Sequence, residues 1–198
     1  MTNSDIDAQF PLERTRRRIL RVNTAGEAGA IAIYSAQLVA SRILRSETAT
    51  FLRAARVHEM DHHRRFRLVM VERGLSPCPG TVLWVAGGWL LGLISLLGGE
   101  RGIMACTAAI ESTVHGHLNE QIRFLQDRDP ELAGVIESIR VEEEEHLEHG
   151  LAGYDAHCRV ARIFTGIVSA VTEALIWIAT FGDSARLRAE YSDMIARS

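Results

Sequence analysis

The sequence lacks paired cysteines. Its three cysteines, Cys78, Cys106 and Cys158, form no CxxC motif and cannot all pair, which indicates a reducing compartment rather than a disulfide-stapled scaffold. It also lacks a large excess of either charge, since 22 basic and 25 acidic residues give a net charge of −3, and nothing points to nucleic acid. No apolar run precedes the first arginines, and Asp5 and Asp7 make the start acidic, so neither a signal peptide nor a transit peptide is expected. The simplest compartment is a bacterial cytoplasm.

Stretches compatible with long helices dominate the chain, and no segment alternates polar and apolar residues as a strand would. We predict helices at about Leu12–Arg45, Glu47–Arg73, Glu100–Gln126, Glu131–Gly150 and Arg159–Phe181. Asp129-Pro130 supplies an N-cap and a first-turn proline for the fourth of these helices. The length of 198 residues suits a single domain, expected to span 1–198 with its core at about 12–181.

One glutamate lies within the apolar stripe of each of the four main helices. The four are Glu27, Glu59, Glu111 and Glu143. Glu143, for example, follows Ile136 and Ile139 at spacings of seven and four, which place all three on one helix face. An isolated carboxylate buried in this way is strongly destabilising. Because two divalent cations would balance four carboxylates, the pattern predicts a site for two metal ions.

Two histidines strengthen this prediction. His62 follows Glu59 by three residues and His146 follows Glu143 by three, so each pair shares a helix face. Two helices that offer Glu-x-x-His and two that offer a single Glu are typical of di-iron and di-manganese carboxylate bundles. Oxygen and imidazole ligands suit iron or manganese, and the absence of thiolates disfavours zinc and iron–sulfur sites.

The spacing of these residues indicates the topology. Glu27 and Glu59 are 59 − 27 = 32 residues apart, and Glu111 and Glu143 are also 143 − 111 = 32 apart, as in two copies of one helical hairpin. Glu59 and Glu111 are 111 − 59 = 52 apart, which leaves 20 residues for one long crossover. We therefore predict an all-α, ferritin-like four-helix bundle with a long crossover between helices two and three and additional C-terminal helices.

Each of these features alone is weak, because one Glu-x-x-His on a helix usually binds nothing. The run from Glu142 to Glu145 is by itself typical of a solvated face. The other histidines are more often surface or core residues than ligands; they are His58, His63, His115, His117, His149 and His157. The prediction rests on two motifs and two single glutamates at matched intervals.

At these residues the sequence resembles the demethoxyubiquinone hydroxylase family of ubiquinone biosynthesis, over roughly 21–181. The matching stretches are RVNTAGEAGA around Glu27, HEMDHHRRF around Glu59, GIMACTAAIE ending at Glu111 and EEEEHLEHGL around Glu143. The resemblance implies a di-iron enzyme that uses O2 to hydroxylate a polyprenylated methoxy-benzoquinol ring. It implies electrons from a reduced nicotinamide such as NADH or from the quinol itself, and no glycine-rich dinucleotide motif decides between them.

The resemblance also implies a role for each candidate residue. Glu59 and Glu143 would bridge the two irons, and Glu27 and Glu111 would be terminal ligands. His62 and His146 would bind one iron each. His117 falls where the family has a histidine near the site, whereas Leu118 stands where some members have a tyrosine, so no tyrosine relay is expected here. Other ubiquinone-biosynthesis proteins and a second copy of the chain are compatible partners. The tail after Gly182 extends beyond the resemblance and receives no function.

The predicted crossover, 74–99, contains no charged residue and is rich in Leu, Gly and Trp. Its length approaches that of a membrane span, but one crossing would separate Glu59 from Glu111. Trp84 and Trp89 instead indicate that Gly80–Gly99 dips into one leaflet, the source of a prenylated substrate. We expect a peripheral protein on the cytoplasmic face of a bacterial inner membrane, or on the matrix face of the mitochondrial inner membrane in a eukaryote. A buried crossover or an oligomer contact is the alternative.

Two other functions remain open from the residues. A ferritin-type iron oxidase, iron-storage or peroxide-scavenging protein would share the ligands but has no need of an apolar, Trp-rich crossover. A membrane-associated carrier of prenyl lipids would leave four buried carboxylates unexplained. The arginine clusters at 14–21 and 64–67 fit anionic lipid headgroups and solvated helix faces equally well.

Overall fold

A computed structural model describes the backbone of residues 3–189 and the side chains of residues 12–189. This range contains α-helices and no strand, so the predicted all-α class is confirmed. The long helices are α1 (Asn3–Gln37), α2 (Ser46–Glu72), α3 (Thr81–Ser95), α4 (Gly99–Leu125), α5 (Pro130–Ala152) and α6 (Arg159–Thr180). Residues 183–189 are again helical, and the remainder of the C-terminal tail lies outside the described residues.

Four of the five predicted helices end within two residues of their predicted bounds, and the first does not. Helix α1 begins at Asn3 rather than Leu12 and ends at Gln37 rather than Arg45. Val39 and Ile43 continue the apolar pattern past Gln37, but they are 67% and 87% exposed. Because these side chains bury little surface, the apolar pattern does not extend the α-helix, and the chain continues only as a 3-10 turn at Leu38–Ala40.

Helices α1, α2, α4 and α5 form the bundle, whose core consists of two apolar clusters. One cluster includes Leu20 and Phe66 with residues of α4 and α5. The other surrounds Tyr34, Leu52 and Ile103. The four predicted glutamates lie between these clusters, so the apolar core closes the polar centre from both ends of the bundle.

Asp129 ties three helices together at one end of the bundle. Its Oδ1 accepts a hydrogen bond from the backbone N–H of Leu132 at 3.2 Å, which confirms the predicted N-cap of α5. Arg73 Nη2 of α2 donates to the same carboxylate at 3.1 Å, and Arg16 Nε of α1 lies 3.1 Å from it.

The apolar crossover contains a helix, α3, that packs along the outside of α1. A Cβ atom added to Gly88 would lie 2.3 Å from the carbonyl oxygen of Gly29, and one added to Gly92 would lie 2.6 Å from that of Ile33. These two positions therefore require glycine for the close approach of the helices. Helix α6 covers α4 in a similar way, and Arg18 Nη1 donates to Asp183 Oδ2 at 2.8 Å, which fixes the segment after α6 to α1.

Candidate metal centre and adjoining cavity

The six residues predicted as ligands converge on one site, and each is at most 6% exposed. They form two overlapping groups whose potential ligand atoms lie within 4.8 Å of one another. The first group is Glu27, Glu59, His62 and Glu143, and the second is Glu59, Glu111, Glu143 and His146. Each group offers three carboxylates and one imidazole, and Glu59 and Glu143 belong to both. Their role as metal ligands stays a prediction.

Glu143 lies between the two histidines. Its Oε1 is 3.1 Å from His62 Nδ1, and its Oε2 is 3.0 Å from His146 Nδ1. Glu59 Oε1 lies 3.3 Å from His146 Nδ1 yet accepts no hydrogen bond of acceptable geometry from the described residues. The two shared carboxylates thus direct different oxygens toward different groups, as bridging ligands would.

Burial and mutual contact shift the pKa values of most of these side chains. Burial and the charges of neighbouring carboxylates raise the pKa values of Glu27 and Glu111 well above their usual range. Burial would lower the pKa values of the histidines, but the adjacent carboxylates of Glu143 and Glu59 raise that of His62 to about 10 and that of His146 to about 11. Burial would raise the pKa of Glu59, yet the nearby imidazoles of His146 and His62, together with Glu27, hold it below its usual range.

The donor set fits two divalent ions, because it consists of four carboxylates and two imidazoles. One oxygen of these carboxylates, Glu59 Oε1, has no hydrogen-bond partner among the described residues. Without such ions, the residues must share protons to remain buried together. These groups could therefore hold metal ions among side chains that are almost fully buried.

Several residues that contact this centre were missed or misplaced by the sequence analysis. Glu142 was interpreted as part of a solvated face, but its Oε2 lies 3.1 Å from His62 Nε2, and Arg65 donates to its other oxygen at 2.7 Å. His58 Nδ1 lies 3.1 Å from His146 Nε2, and the two rings stack. Partners of this kind orient metal-binding imidazoles. No spacing within one helix announces these contacts, because Glu142 and His58 each directly precede a predicted glutamate ligand and so lie about 100° from it around the helix.

Tyr34 is a further neighbour of the centre. Its hydroxyl donates to Glu111 Oε1 at 2.9 Å. Burial and the carboxylates raise the pKa of Tyr34 well above its usual value, so it remains a donor. Tyr34 lies seven residues after Glu27 on the same helix face, which was the signal in the sequence.

His117 belongs to neither group of potential ligands but lies close by, on α4. Its Nε2 is 3.1 Å from Glu173 Oε2 of α6, and its Nδ1 is 3.4 Å from Glu120 Oε2. Arg188 donates to Glu120 at 2.7 Å and to Glu173 at 2.9 Å. His117 is thus held between two carboxylates at the edge of the site.

A cavity of about 540 Å³ adjoins the metal centre on the side covered by α3 and α6. Four of the predicted ligands reach its inner surface: Glu27, Glu59, Glu111 and Glu143. The side chains from α3 and α6 are almost all apolar, among them Trp84, Leu91, Phe164 and Val171. On the bundle side, the described lining residues include two amide side chains, Asn23 and Gln121, and the imidazole of His117. The centre is therefore open to an apolar compartment.

These features define the class of the protein: a ferritin-like helical bundle with a buried carboxylate–histidine centre that can hold metal ions. Comparison with known sequences then identifies the family. The profile described as "Ubiquinone biosynthesis protein COQ7" matches residues 14–179, and the chain belongs to this family. The family predicted from the sequence is thereby confirmed.

Characterised relatives match most of the chain. A 3-demethoxyubiquinol 3-hydroxylase from Rhodospirillum rubrum is 35% identical over 162 residues, which are 81% of this chain and 76% of the relative. Mitochondrial proteins named NADPH-dependent 3-demethoxyubiquinone 3-hydroxylase are 35% identical in Mus musculus (81% of this chain, 75% of the relative) and 30% identical in Dictyostelium discoideum (89% and 82%).

Proposed function

We propose that this chain is a di-iron monooxygenase that uses O2 to hydroxylate the ring of a polyprenylated demethoxybenzoquinol, a late step of ubiquinone biosynthesis. The observation that carries the proposal is the apolar cavity that ends on the carboxylates of the metal centre. The names of the relatives support a hydroxylase with this substrate class. An iron-storage protein has no need of this cavity, and a lipid carrier has no need of the buried carboxylates.

The six converging side chains would hold the two irons, with Glu59 and Glu143 shared between them. Glu27 and His62 would complete one site, and Glu111 and His146 would complete the other. When bound, the irons supply the two-electron chemistry that activates O2 for ring hydroxylation. The chain itself positions the ions, fixes both imidazoles through their outer nitrogens and keeps water away from the ring.

The substrate ring lies against the carboxylates, and the prenyl chain leaves between α3 and α6. A volume of about 540 Å³ is within the usual range for a small-molecule site, and its apolar walls suit isoprene units. Gly26 leaves room for the ring, because a Cβ atom added there meets nothing within 4 Å although the residue lines the cavity.

His117 delivers a proton at the cavity wall. Hydroxylation by O2 consumes two electrons and two protons, places one oxygen on the ring and releases the other as water. His117 Nε2 contacts Glu173, whose side chain is 39% exposed, so the pair connects the cavity with solvent. His117→Gln should lower turnover by roughly 10²-fold, the usual contribution of a general acid, without loss of iron.

The electrons come from an external reduced nicotinamide. Relatives carry the term NADPH-dependent in their names, whereas the resemblance implied a reduced nicotinamide such as NADH or the quinol itself. Single-turnover reduction of the iron-loaded protein with each nucleotide decides between them.

The protein binds one leaflet of a membrane through α3 and α6. By length and composition, Thr81–Leu125 and Arg159–Thr180 could each span a membrane. However, α3 itself has 15 residues and is about 22 Å long, less than the roughly 30 Å of a bilayer core, and one of its faces packs on α1. Its other face exposes apolar side chains such as Val82 and Leu83, and Leu97 in the turn that follows α3 is also exposed. These side chains suit shallow insertion from the cytoplasmic face of a bacterial inner membrane.

The structure changes which tryptophans suit the membrane interface. Trp84 is half-buried in contact with Gly29 and lines the cavity, so it serves the interior rather than the surface. Trp89 of α3 and Trp177 of α6 are 41% and 55% exposed and take the interfacial role. Leu83→Ser combined with Leu97→Ser should release the protein from anionic liposomes, whereas Val57→Ser with Val71→Ser, 60% and 68% exposed on α2, should not.

The decisive experiment combines iron loading with a blocked cavity. The purified chain should take up about two irons and convert demethoxyubiquinol with O2. Gly26→Leu places a side chain in the cavity and should abolish turnover with the iron content unchanged. Gly134→Leu, on the exposed side of α5 where a Cβ atom also meets nothing, is the matched control. A fully loaded wild-type protein without hydroxylase activity would refute the proposed function.

A further inference from the structure

Two amide side chains pair across the cavity, between α1 and α4. Asn23 Nδ2 donates to Gln121 Oε1 at 2.8 Å, and Gln121 Nε2 donates to Asn23 Oδ1 at 3.1 Å. Gln121 is 4% exposed, and both residues line the cavity. Apart from His117 and the carboxylates of the metal centre, the described lining around this reciprocal pair is mostly apolar.

The pair has hydrogen-bonding capacity left over. A primary amide offers two N–H donors and two lone pairs on its oxygen. Each of the two amides uses one N–H and one lone pair in the pairing, and neither has a further partner among the described residues. Asn23 is half-buried and Gln121 is buried, so their unused donors and acceptors on the cavity wall are available to a polar group of a bound molecule.

The position of the pair matches the size of an aromatic ring. Asn23 precedes Glu27 by four residues, so it lies one turn, about 6 Å along the helix axis, beyond that ligand on the same face of α1. Gln121 follows His117 by four residues on α4 and occupies the corresponding place on the facing helix. A ring held against Glu27 would therefore reach the amides with a substituent on its far side.

We infer that the Asn23–Gln121 pair binds an oxygen substituent of the quinol ring and so determines which ring carbon faces the metal centre. This inference rests on the proposed function. A hydroxyl substituent can accept from one free N–H and donate to one free carbonyl lone pair, whereas a methoxy oxygen can only accept. The pair thus distinguishes ring substituents in a compartment whose apolar walls cannot.

The test measures binding of short-chain quinols to the iron-loaded protein under anaerobic conditions, alongside turnover. The panel contains the full ring and analogues that each lack one ring oxygen. One analogue lacks the oxygen that the amide pair binds. Wild type should bind the full ring about tenfold more tightly than this analogue, as expected for one net hydrogen bond. Asn23→Leu and Gln121→Met keep the side-chain size but remove the amides. Both variants should bind the full ring and that analogue equally.

Two controls separate recognition from support of the fold. Gln37→Met removes a buried amide elsewhere on α1, which donates to Ser95 at 3.0 Å and does not line the cavity, so discrimination should persist. Asn23→Gln combined with Gln121→Asn restores two facing amides and should recover part of the discrimination. Loss of affinity for all analogues by the same factor in Asn23→Leu would mean that the pair only ties α1 to α4 and would overturn the inference. Absence of hydroxylation by wild type would instead refute the proposed function.

Discussion

Gly88 offers a direct test of how α3 is held on the bundle. A Cβ atom there would lie 2.3 Å from the Gly29 carbonyl oxygen, whereas ordinary contact begins at 3.4 Å. Gly88→Ala therefore requires α3 and α1 to separate by up to 3.4 − 2.3 = 1.1 Å. The neighbouring Gly87 is exposed, and a Cβ atom added to it meets nothing within 4 Å. Gly87→Ala is thus the same chemical change in the same helix without the clash.

The difference between the two variants isolates the packing effect. Alanine is preferred over glycine in a helix interior by about 1 kcal/mol, and this gain applies to both. Forcing an extra methyl group into a packed interface typically costs about 1–3 kcal/mol. We therefore expect Gly88→Ala to unfold with a free energy about 1–3 kcal/mol lower than Gly87→Ala, and Gly87→Ala to be slightly more stable than wild type.

Urea unfolding of both variants gives the difference in free energy, and hydrogen exchange in 81–95 shows where the cost falls. If α3 lifts without global unfolding, exchange in this segment will rise in Gly88→Ala while the core helices remain protected. Equal stability and equal exchange in the two variants would refute the close packing of α3 on α1. Because α3 covers the cavity, hydroxylation of a long-chain quinol should fall in parallel with the loss of protection.

Three further predictions address the metal centre, one end of the bundle and the thiols. Glu143→Ala should lose most of the bound iron and turnover, whereas Glu144→Ala, at a half-exposed position, should be nearly silent; the reverse would mean that the register of α5 is wrong by one residue. Burial would raise the pKa of Asp129, but pairing with arginines lowers it. The charged carboxylate therefore stabilises the fold at pH values above the ordinary Asp pKa, and this contribution is lost as pH falls. Asp129→Asn, which keeps the cap, should therefore cost about 1–3 kcal/mol at pH 7 in urea unfolding, and the difference should shrink below about pH 4. Burial raises the pKa of Cys106 to about 12, so a thiol reagent at pH 8 should react with the exposed Cys158 and reach Cys106 only on unfolding.

The register of the candidate ligands could be predicted from the sequence because it depends on local rules. Helical periodicity places Glu143 with Ile136 and Ile139, and the charge of a buried carboxylate demands compensation whatever the tertiary details. The equal intervals from Glu27 to Glu59 and from Glu111 to Glu143 also predicted the topology. All of these features are properties of single helices or of chain length.

The remaining features depend on contacts between distant segments and could not be predicted in the same way. A charge-free, Leu-rich segment has the same composition whether it is irregular or helical, and only the approach of Gly88 to Gly29 fixes α3 on α1. Likewise, the pairing of Glu142 with His62 and Arg65 joins α5 to α2 across the bundle, and no pattern within either helix announces it. The prediction that the first helix continues to Arg45 was wrong for the same reason, because apolar spacing does not reveal whether a partner surface exists.

The position of the cavity follows from small residues on one face of α1. Asn23, Gly26 and Ala30 succeed each other at spacings of three and four, so they form a continuous stripe without a large side chain. Leucine side chains at these positions would fill the cavity, and the carboxylates would then lie in a closed interior. Small residues instead leave a volume between α1 and α4, which α3 and α6 cover from outside with apolar side chains. The outer faces of the same two helices are also apolar. In the proposed function, a prenylated ring that enters between them would pass from acyl chains to the metal centre without crossing water. The small stripe on α1 and the exposed apolar faces of α3 and α6 would then be two requirements of one substrate path.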